Sequence, residues 1–251
     1  MNATNDQKLK PMPEDFDRVL AIVAHPDDLE YGAAAAISHW TKAGKEVTYL
    51  LVTRGEAGID GLDPKTCARL REEEQRASAG VVGVSALEFL DHQDGVIEEG
   101  LPLRRDIAAA IRRHRPELLI TLNHHDTWGG DGWWNTPDHR AVGRAVLDAA
   151  GDAGNRWIFP ELVREQGLEP WGGVRWVAVA GSPYGTHATA VAEADVDAAV
   201  ASLAEHKAYI EGLGVKEEPA EYARGFLRQF MTATGEQVGA EYAVGFQVYP
   251  R

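Results

Sequence analysis

The sequence predicts an α/β protein with a Rossmann-like, three-layer α/β/α fold and a mostly parallel central sheet. Short, continuous apolar runs alternate with stretches of helical composition, which is typical of successive βαβ units. The chain has 251 residues, of which 44% are hydrophobic and 25% charged, and this is enough for an enzyme-sized core. A cluster of polar residues directly follows the first apolar run, so we expect the functional site at the carboxyl ends of the strands.

The predicted strands are apolar runs of the kind that parallel sheets bury on both faces. They cover residues 18–24 (RVLAIVA), 46–53, 86–90, 117–122 and 174–181. The helical stretches between and after them are residues 33–43, 67–82, 103–115, 138–150 and 195–212, and residues 242–249 suggest a final strand. Residues 1–17 are polar and aperiodic, so we expect a flexible leader before a single domain at 18–251.

The net charge of −14 argues against nucleic acid or an anionic membrane surface as a partner. The single cysteine, Cys67, cannot form an internal disulfide, and the first residues lack the pattern of a secretory signal. No apolar run approaches the ~18 residues that a membrane span needs. We therefore expect a cytoplasmic protein with a small-molecule partner, and leave open whether it forms a homo-oligomer.

The most informative segment is His25-Pro26-Asp27-Asp28, directly after the first predicted strand. A histidine and two carboxylates at the end of a buried strand are costly to desolvate unless a cation compensates. Nitrogen and carboxylate ligands suit zinc, which takes three protein ligands in catalytic sites and keeps one position open. The sequence therefore predicts a zinc site whose third ligand comes from elsewhere.

The best source of that ligand is Thr136-Pro137-Asp138-His139, at the start of the helix that follows the strand at 117–122. A loop there reaches the same edge of the sheet, and His139 would lie in the first turn of the helix. Each segment has a simpler interpretation, because proline and aspartate are common where helices begin. Their occurrence at equivalent strand ends favours a joint site.

These segments resemble the PIG-L/LmbE-like zinc-dependent N-deacetylases, which include enzymes of mycothiol and bacillithiol synthesis. The resemblance spans roughly residues 18–150. Its anchor, AHPDDLEYG at 24–32, matches the family pattern in full. The further matches are TRGE at 53–56, the helix pattern from Arg71-Glu72 to Gly83, Asp94-Gly95, and PDH at 137–139.

The resemblance implies that His25, Asp28 and His139 hold one zinc ion per chain and that Asp27 is the general base. The implied reaction removes acetyl from an N-acetylated amino sugar or its conjugate by attack of activated water. We also place Asp138 among the catalytic residues. One alternative is an amidase of a larger thiol-sugar conjugate, and another is a non-catalytic, metal-dependent glycan-binding protein.

The chain departs from the family pattern at Thr136, where many members have a histidine thought to stabilise the oxyanion. A hydroxyl is a weaker electrostatic partner than an imidazolium, and one lost donor can cost about 10²- to 10³-fold in rate. We expect His124 or His125 to substitute, with Asp126 orienting one of them, and assign the role to His124. The alternative is that both are partly exposed loop residues.

Four further residues are predicted to contact substrate: Arg54, Glu56, Asp94 and Trp128. Arg54 and Glu56 follow the second strand and could equally pair with each other, and Asp94 could simply form a turn with Gly95. Trp128 belongs to a loop at 123–136 with three tryptophans, which could form a sugar platform, a lid or core. No G-x-G-x-x-G or G-x-S-x-G pattern occurs, which argues against a dinucleotide-binding protein or a serine hydrolase.

Overall fold

One mixed β-sheet forms the centre of the molecule in the computed structural model, which describes residues 8–129 and 132–251. Its strands in chain order are β1 (Lys10–Pro11), β2 (Arg18–Val23), β3 (Glu46–Leu51), β4 (Ala86–Phe89), β5 (Leu118–Leu122), β6 (Trp176–Ala180), β7 (His187–Val191) and β8 (Tyr242–Pro250). Their order across the sheet is β1-β7-β8-β6-β5-β2-β3-β4. Only β8 runs antiparallel to its neighbours, so the predicted α/β fold with a mostly parallel sheet is confirmed.

Helices cover both faces of this sheet. They are α1 (Asp28–Gly32), α2 (Ala34–Lys42), α3 (Pro64–Val81), α4 (Leu101–His114), α5 (Pro137–Asp152), α6 (Pro160–Arg164), α7 (Glu193–Ala204), α8 (Lys207–Gly212) and α9 (Pro219–Val238). One hydrophobic cluster joins the sheet to α2, α7 and α9, and a second joins it to α4, α5 and α6. None of the helices in the described residues combines the length and apolar character needed to cross a membrane.

Strand β2 is the turning point of the topology. It pairs with β3 on one side and with β5 on the other, with Leu20 opposite both Thr48 and Leu119. The chain moves outward through β3 and β4 and then returns to the far side of β2. Ligands of open α/β sheets bind at such switch points, so the loops after β2 and β5 are well placed for a site.

The segment before β2 differs from the predicted leader. Residues 1–7 lie outside the described residues, but Lys10 and Pro11 pair with β7, and Phe16 is buried against Trp40 at 5.4 Å between ring centroids. A polar, aperiodic sequence conceals these contacts because a two-residue edge strand and one buried ring leave no periodic pattern.

The five strands predicted before residue 182 all form, within about two residues of their predicted ends. The predicted helix at 195–212 is instead two helices, α7 and α8, which are separated at His206. The final strand forms as β8, whereas the sequence interpretation missed β7 and the 20-residue helix α9. Both missed elements lie in the part of the chain where strand and helix no longer alternate.

Candidate active site

The polar segment after β2 turns sharply at Asp27, whose φ of 89° places a non-glycine residue in the left-handed region. Two groups of α3 hold this turn. The Arg71 guanidinium donates to the carbonyl of Pro26 at 2.5 Å, and the Gln75 side-chain oxygen accepts from the backbone N–H of Asp27 at 2.9 Å. Such strain persists only when surrounding contacts hold it in place and is frequent at functional sites.

The turn brings His25 and Asp28 to His139, which lies in the first turn of α5. Nε2 of His139 lies 3.0 Å from Oδ1 of Asp28 and 3.3 Å from Nδ1 of His25, and Nδ1 of His25 lies 3.7 Å from Oδ2 of Asp28. One ligand atom from each residue falls within 4.8 Å of the others, so the three could hold a metal ion. These are the three residues that the resemblance implied as zinc ligands.

The contact with Asn135 selects the tautomer of the neutral His139 ring. The Asn135 side-chain N–H groups donate to the carbonyls of Asn123 and His125, at 2.7 and 2.9 Å, so its Oδ1 faces His139. Nδ1 of His139 lies 3.0 Å from that oxygen and must therefore donate. In the neutral form of the ring, the lone pair is then on Nε2, the nitrogen that faces Asp28.

The ring of His25 is oriented in the same way by carboxylates. Its Nε2 lies 3.0 Å from Oδ1 of Asp94 and 3.2 Å from Oδ2 of Asp138, so the proton belongs on Nε2 and the lone pair on Nδ1. When both rings are neutral, two nitrogen lone pairs and a carboxylate oxygen converge with no hydrogen between them. This donor set fits a divalent cation, and the carboxylate on the far nitrogen is the usual support of a metal-binding histidine.

The pKa values of His25 and Asp28 indicate that the cluster favours a positive charge. Burial opposes a charge on His25, but the carboxylates of Asp138, Asp28 and Asp94 outweigh it and raise the pKa of His25 well above its ordinary value. Burial likewise opposes ionisation of Asp28, but His139 and His25 hold its pKa well below its ordinary value.

Asp138 supports the cluster from behind. Its two carboxylate oxygens accept from the backbone N–H groups of Gly95 and Ile97, at 2.7 and 3.1 Å, and Oδ2 also faces His25. The side chain is only 2% exposed. The sequence prediction makes Asp138 a catalytic residue, whereas these contacts indicate a positioning residue for His25.

Asp27 does not join the three converging ligands, because its carboxylate turns to α3. Its Oδ2 accepts from Arg71 at 2.8 Å, and both side chains are almost completely buried. Burial raises the pKa of Asp27 to about 6, although Arg71 opposes this rise. Asp27 and Arg71 both line the cavity that opens over the cluster. The carboxylate is therefore placed beside the cluster and free of it.

A second buried histidine lies behind this pair. His206 is completely buried, and its Nε2 is 3.7 Å from the carboxylate of Glu30. Glu30 accepts from Ser78 at 2.6 Å and from Gln75 at 2.8 Å, which connects α1 to α3. The sequence interpretation gave Arg71, Gln75 and His206 no role, although polar residues at 71, 74, 75 and 78 repeat on one helical face and signal a buried polar surface.

A cavity of about 1230 Å³ opens over the cluster. The walls include Asp94, Trp128 and Thr136, together with the side of α9. Trp128 packs edge-on against His139 at 5.7 Å between ring centroids. Asp94 accepts from the backbone N–H of Ala57 at 2.9 Å and keeps its other oxygen towards His25.

Comparison with known proteins agrees with this geometry. The model of the family described as PIG-L, GlcNAc-PI de-N-acetylase, matches residues 20–150, which is more than half of the chain. The chain belongs to the PIG-L family. The match contains both halves of the cluster, from His25 to His139.

Several curated relatives of this PIG-L family member are named as deacetylases. A diacetylchitobiose deacetylase of Thermococcus kodakarensis is 32% identical over 170 residues, which cover 66% of this chain and 60% of the relative. A 1D-myo-inositol 2-acetamido-2-deoxy-alpha-D-glucopyranoside deacetylase of Kineococcus radiotolerans is 31% identical over 54% of this chain and 46% of its own length. The matches thus span about half of these relatives.

A solved structure extends the likeness in fold to almost the whole chain. The N,N'-diacetylchitobiose deacetylase from Pyrococcus horikoshii superposes with a TM-score of 0.83, covering 94% of this chain and 85% of that one. The sequence identity is 22%, so this comparison concerns the fold.

Within this family member, Thr136 has a local structural role. It is the N-cap of α5, and its hydroxyl accepts from the backbone N–H of His139 at 3.2 Å. The predicted substitute, His124, does not reach the cavity. Its ring packs at a tilt against His125, at 4.2 Å between centroids, and its Cβ lies close to Gly143 of α5. Burial, with the nearby His125 and Arg144, lowers the pKa of His124 to about 4.

Of the four residues predicted to contact substrate, two line the large cavity and two do not. Arg54 lies outside the large cavity, because its guanidinium donates to Asp91 at 2.7 Å and faces Glu72. Glu56 accepts from the backbone N–H of Asp94 at 2.9 Å, so it supports Asp94. Asp94 and Trp128 line the cavity, whereas Gly130 and Asp131 of the tryptophan-containing loop lie outside the described residues.

Proposed function

We propose that this chain is a zinc-dependent hydrolase that removes the acetyl group from an N-acetylglucosamine conjugate. The observation that carries the proposal is the convergence of two histidine lone pairs and the Asp28 carboxylate beside the separate carboxylate of Asp27. The names of the relatives, which include deacetylases of diacetylchitobiose and of an inositol glycoside, support the same reaction class.

His25, Asp28 and His139 would hold the zinc ion, and nitrogen and oxygen ligands in this number are typical of catalytic zinc. Bound zinc supplies Lewis acidity, which polarises an amide carbonyl and acidifies water. Asp138 and Asn135 keep the two imidazole rings oriented through their far nitrogens. The metal site thus depends on five side chains from two loops.

Asp27 takes the proton from the attacking water and returns it to the departing amine. Arg71 holds one oxygen of the carboxylate at 2.8 Å, which leaves the other for this transfer. The cavity-lining Asp94 and Trp128 would contact the sugar, as a hydrogen-bonding carboxylate and a flat apolar surface. A protein that only binds glycans needs Asp28 but has no use for a carboxylate at Asp27.

The decisive experiment measures acetate release from N-acetylglucosaminyl conjugates together with the zinc content. We expect about one zinc per chain, and Asp27→Asn should abolish acetate release while retaining zinc. Asp91→Asn is the matched control, because the Asp91 side chain is 90% exposed and lies outside the large cavity. Full activity of Asp27→Asn, or a folded and active protein without metal, would contradict the proposal.

A further inference from the structure

The cavity extends from the metal-ligand cluster to one side of α9, which lines it mainly with apolar residues and also with Thr234 and Gln237. Phe226, Phe230 and Met231 form an apolar surface, which we call the α9 wall. Phe226 and Phe230 are 37% and 58% exposed, and their rings lie 4.9 Å apart. An exposed aromatic surface continuous with a reaction site is typical of a ligand-binding surface.

The α9 wall is connected directly to the segment that carries the ligands. Tyr31 of α1 follows Asp28 by three residues, and its ring packs edge-on against Phe226 at 5.1 Å. Its hydroxyl lies 3.0 Å from the hydroxyl of Tyr222 on α9. The aromatic rings therefore form a continuous path from α1, which begins with Asp28, to the exposed ring of Phe230.

The charge of the cavity restricts what can lie on this path. Arg71 is the only arginine or lysine among the described cavity-lining residues, and it is engaged by Asp27 and the Pro26 carbonyl. The other charged lining residues outside the two ligand histidines are Asp27, Asp28, Glu30, Asp94 and Asp138. Away from the zinc ion that the cluster would hold, a carboxylate or phosphate on the substrate would meet no free cation among the described lining residues.

The size of the cavity adds a further restriction. Ligand pockets typically enclose ~300 to 1,000 Å³, and this cavity of about 1230 Å³ exceeds that range. A single N-acetylglucosamine unit at the cluster would leave the α9 wall exposed to water. The substrate should therefore carry a further group that covers the aromatic rings.

We propose that the non-sugar part of the substrate is an uncharged alkyl or aryl group that packs on Phe226 and Phe230. The inference rests on the proposed function and specifies its substrate class. Conjugates whose aglycone ends in a carboxylate are poor substrates because the α9 wall has no cation to pair with it. Phe230, the more exposed of the two rings, determines this preference.

The test compares three N-acetylglucosaminides with matched aglycones: methyl, hexyl and 5-carboxypentyl. We expect kcat/KM for the hexyl substrate to exceed that for the methyl substrate at least about tenfold. Each methylene group in an apolar pocket adds to the binding free energy of the transition state. The carboxypentyl substrate should lose that advantage. Phe230→Ala should reduce the hexyl-to-methyl ratio to within about threefold of unity, and Phe230→Leu should retain most of it.

Trp157→Ala is the control, since Trp157 is an exposed aromatic residue outside the cavity lining. Equal kcat/KM for hexyl and methyl substrates, or a ratio that Phe230→Ala leaves unchanged, would overturn the inference. Analytical sedimentation at the assay concentration tests the alternative that a second copy of the chain covers the α9 wall. If the α9 wall is a contact between copies, Phe230→Ala dissociates an oligomer and leaves the ratio unchanged.

The proposed function is tested independently of this inference, because acetate release from the methyl substrate does not depend on the α9 wall. If no glycoside is turned over, calorimetric binding of the methyl and hexyl substrates to zinc-loaded Asp27→Asn still tests the inference. Tighter binding of the hexyl compound by at least about tenfold, reduced by an added Phe230→Ala change, supports it. Equal binding contradicts it.

Discussion

Two histidine pairs lie near the carboxyl ends of the central strands, and their surroundings give them different properties. His25 and His139 have oxygen acceptors on their far nitrogens and the Asp28 carboxylate between their near nitrogens. His124 and His125 pack at a tilt against each other, Nε2 of His125 lies 2.8 Å from the Gln247 side-chain oxygen, and Nδ1 of His124 is buried without a hydrogen-bond partner in the described residues. The carboxylates around the first pair, rather than its place in the fold, make it the candidate metal site.

The largest effect should come from removing a ring of the first pair. His139→Ala leaves a histidine and a carboxylate, which are too few protein ligands to hold zinc in a catalytic site. We expect zinc content to fall close to zero and acetate release to fall by more than about 10³-fold. Plasma emission spectroscopy and the acetate assay measure both quantities.

His124→Asn is the control for that change, because it removes a ring from the second pair. It should retain about one zinc per chain. If His124→Asn lost zinc and His139→Ala kept it, the contrast between the two pairs would be reversed.

A smaller effect is expected when only the support of His25 is weakened. Asp138→Asn keeps the shape of the side chain but removes the negative charge beside Nε2 of His25. Because such supporting partners are worth about 10- to 100-fold in metal affinity, zinc affinity should fall within that range. A competition titration with a chelator measures it, with Asp91→Asn as the exposed control; an unchanged affinity would show that Asp138 only braces the loop at Gly95.

In the second pair, His124 should contribute to the pH dependence of the unfolding free energy. The pKa of His124 is lowered to about 4 in the folded protein, mainly by burial, whereas an unfolded chain has ~6.5. The unfolded state therefore binds the proton first, and stability falls as the pH drops from about 6.5 towards 4. His124 alone should account for about 2 kcal/mol of the loss between pH 7 and pH 5.

This contribution can be isolated by comparing denaturation at the two pH values. His124→Asn should reduce the loss by about 2 kcal/mol, even if the variant is less stable at both pH values. An identical loss in the variant and the parent protein would mean that His124 is protonated in the fold.

The smallest effect should come from the cap of α5. Thr136→Ala removes the hydroxyl that accepts from the N–H of His139, which should cost about 1 kcal/mol of unfolding free energy. Thr136→Ser keeps the cap and should be close to neutral. Chemical denaturation compares them. If Thr136→Ala instead abolished turnover at unchanged stability, the hydroxyl would act on the reaction rather than on the helix.

The repeating half of the fold was predictable because its signals are local. The runs at β2, β3 and β5 are continuous and apolar, and each is followed by a helical segment. The C-terminal part was less predictable, because β8 pairs antiparallel with both β6 and β7 and breaks the alternation. The role of α9 in lining the cavity can be seen only in the tertiary structure.

The site was predictable to a similar extent. Parallel strands bring their following loops to one edge, which is why His25, Asp28 and His139 could be grouped across more than a hundred residues. Arg54 and His124 also follow strands, yet Arg54 pairs with Asp91 and the ring of His124 packs against His125. Position along a strand therefore predicts the edge of the sheet but not the direction of a side chain.

The sequence alone determined the fold class, the edge of the sheet that carries the site and the residue types available to a metal. Only the tertiary structure decided which atoms of the three residues converge, since the tautomer of the neutral His139 ring depends on Asn135 and the carbonyl of Asn123. It also decided that Arg71 holds Asp27 and that α9 forms the apolar wall. The physical reason is that strands and helices arise from local patterns, whereas hydrogen-bond partners and cavity walls come from residues far apart in the chain.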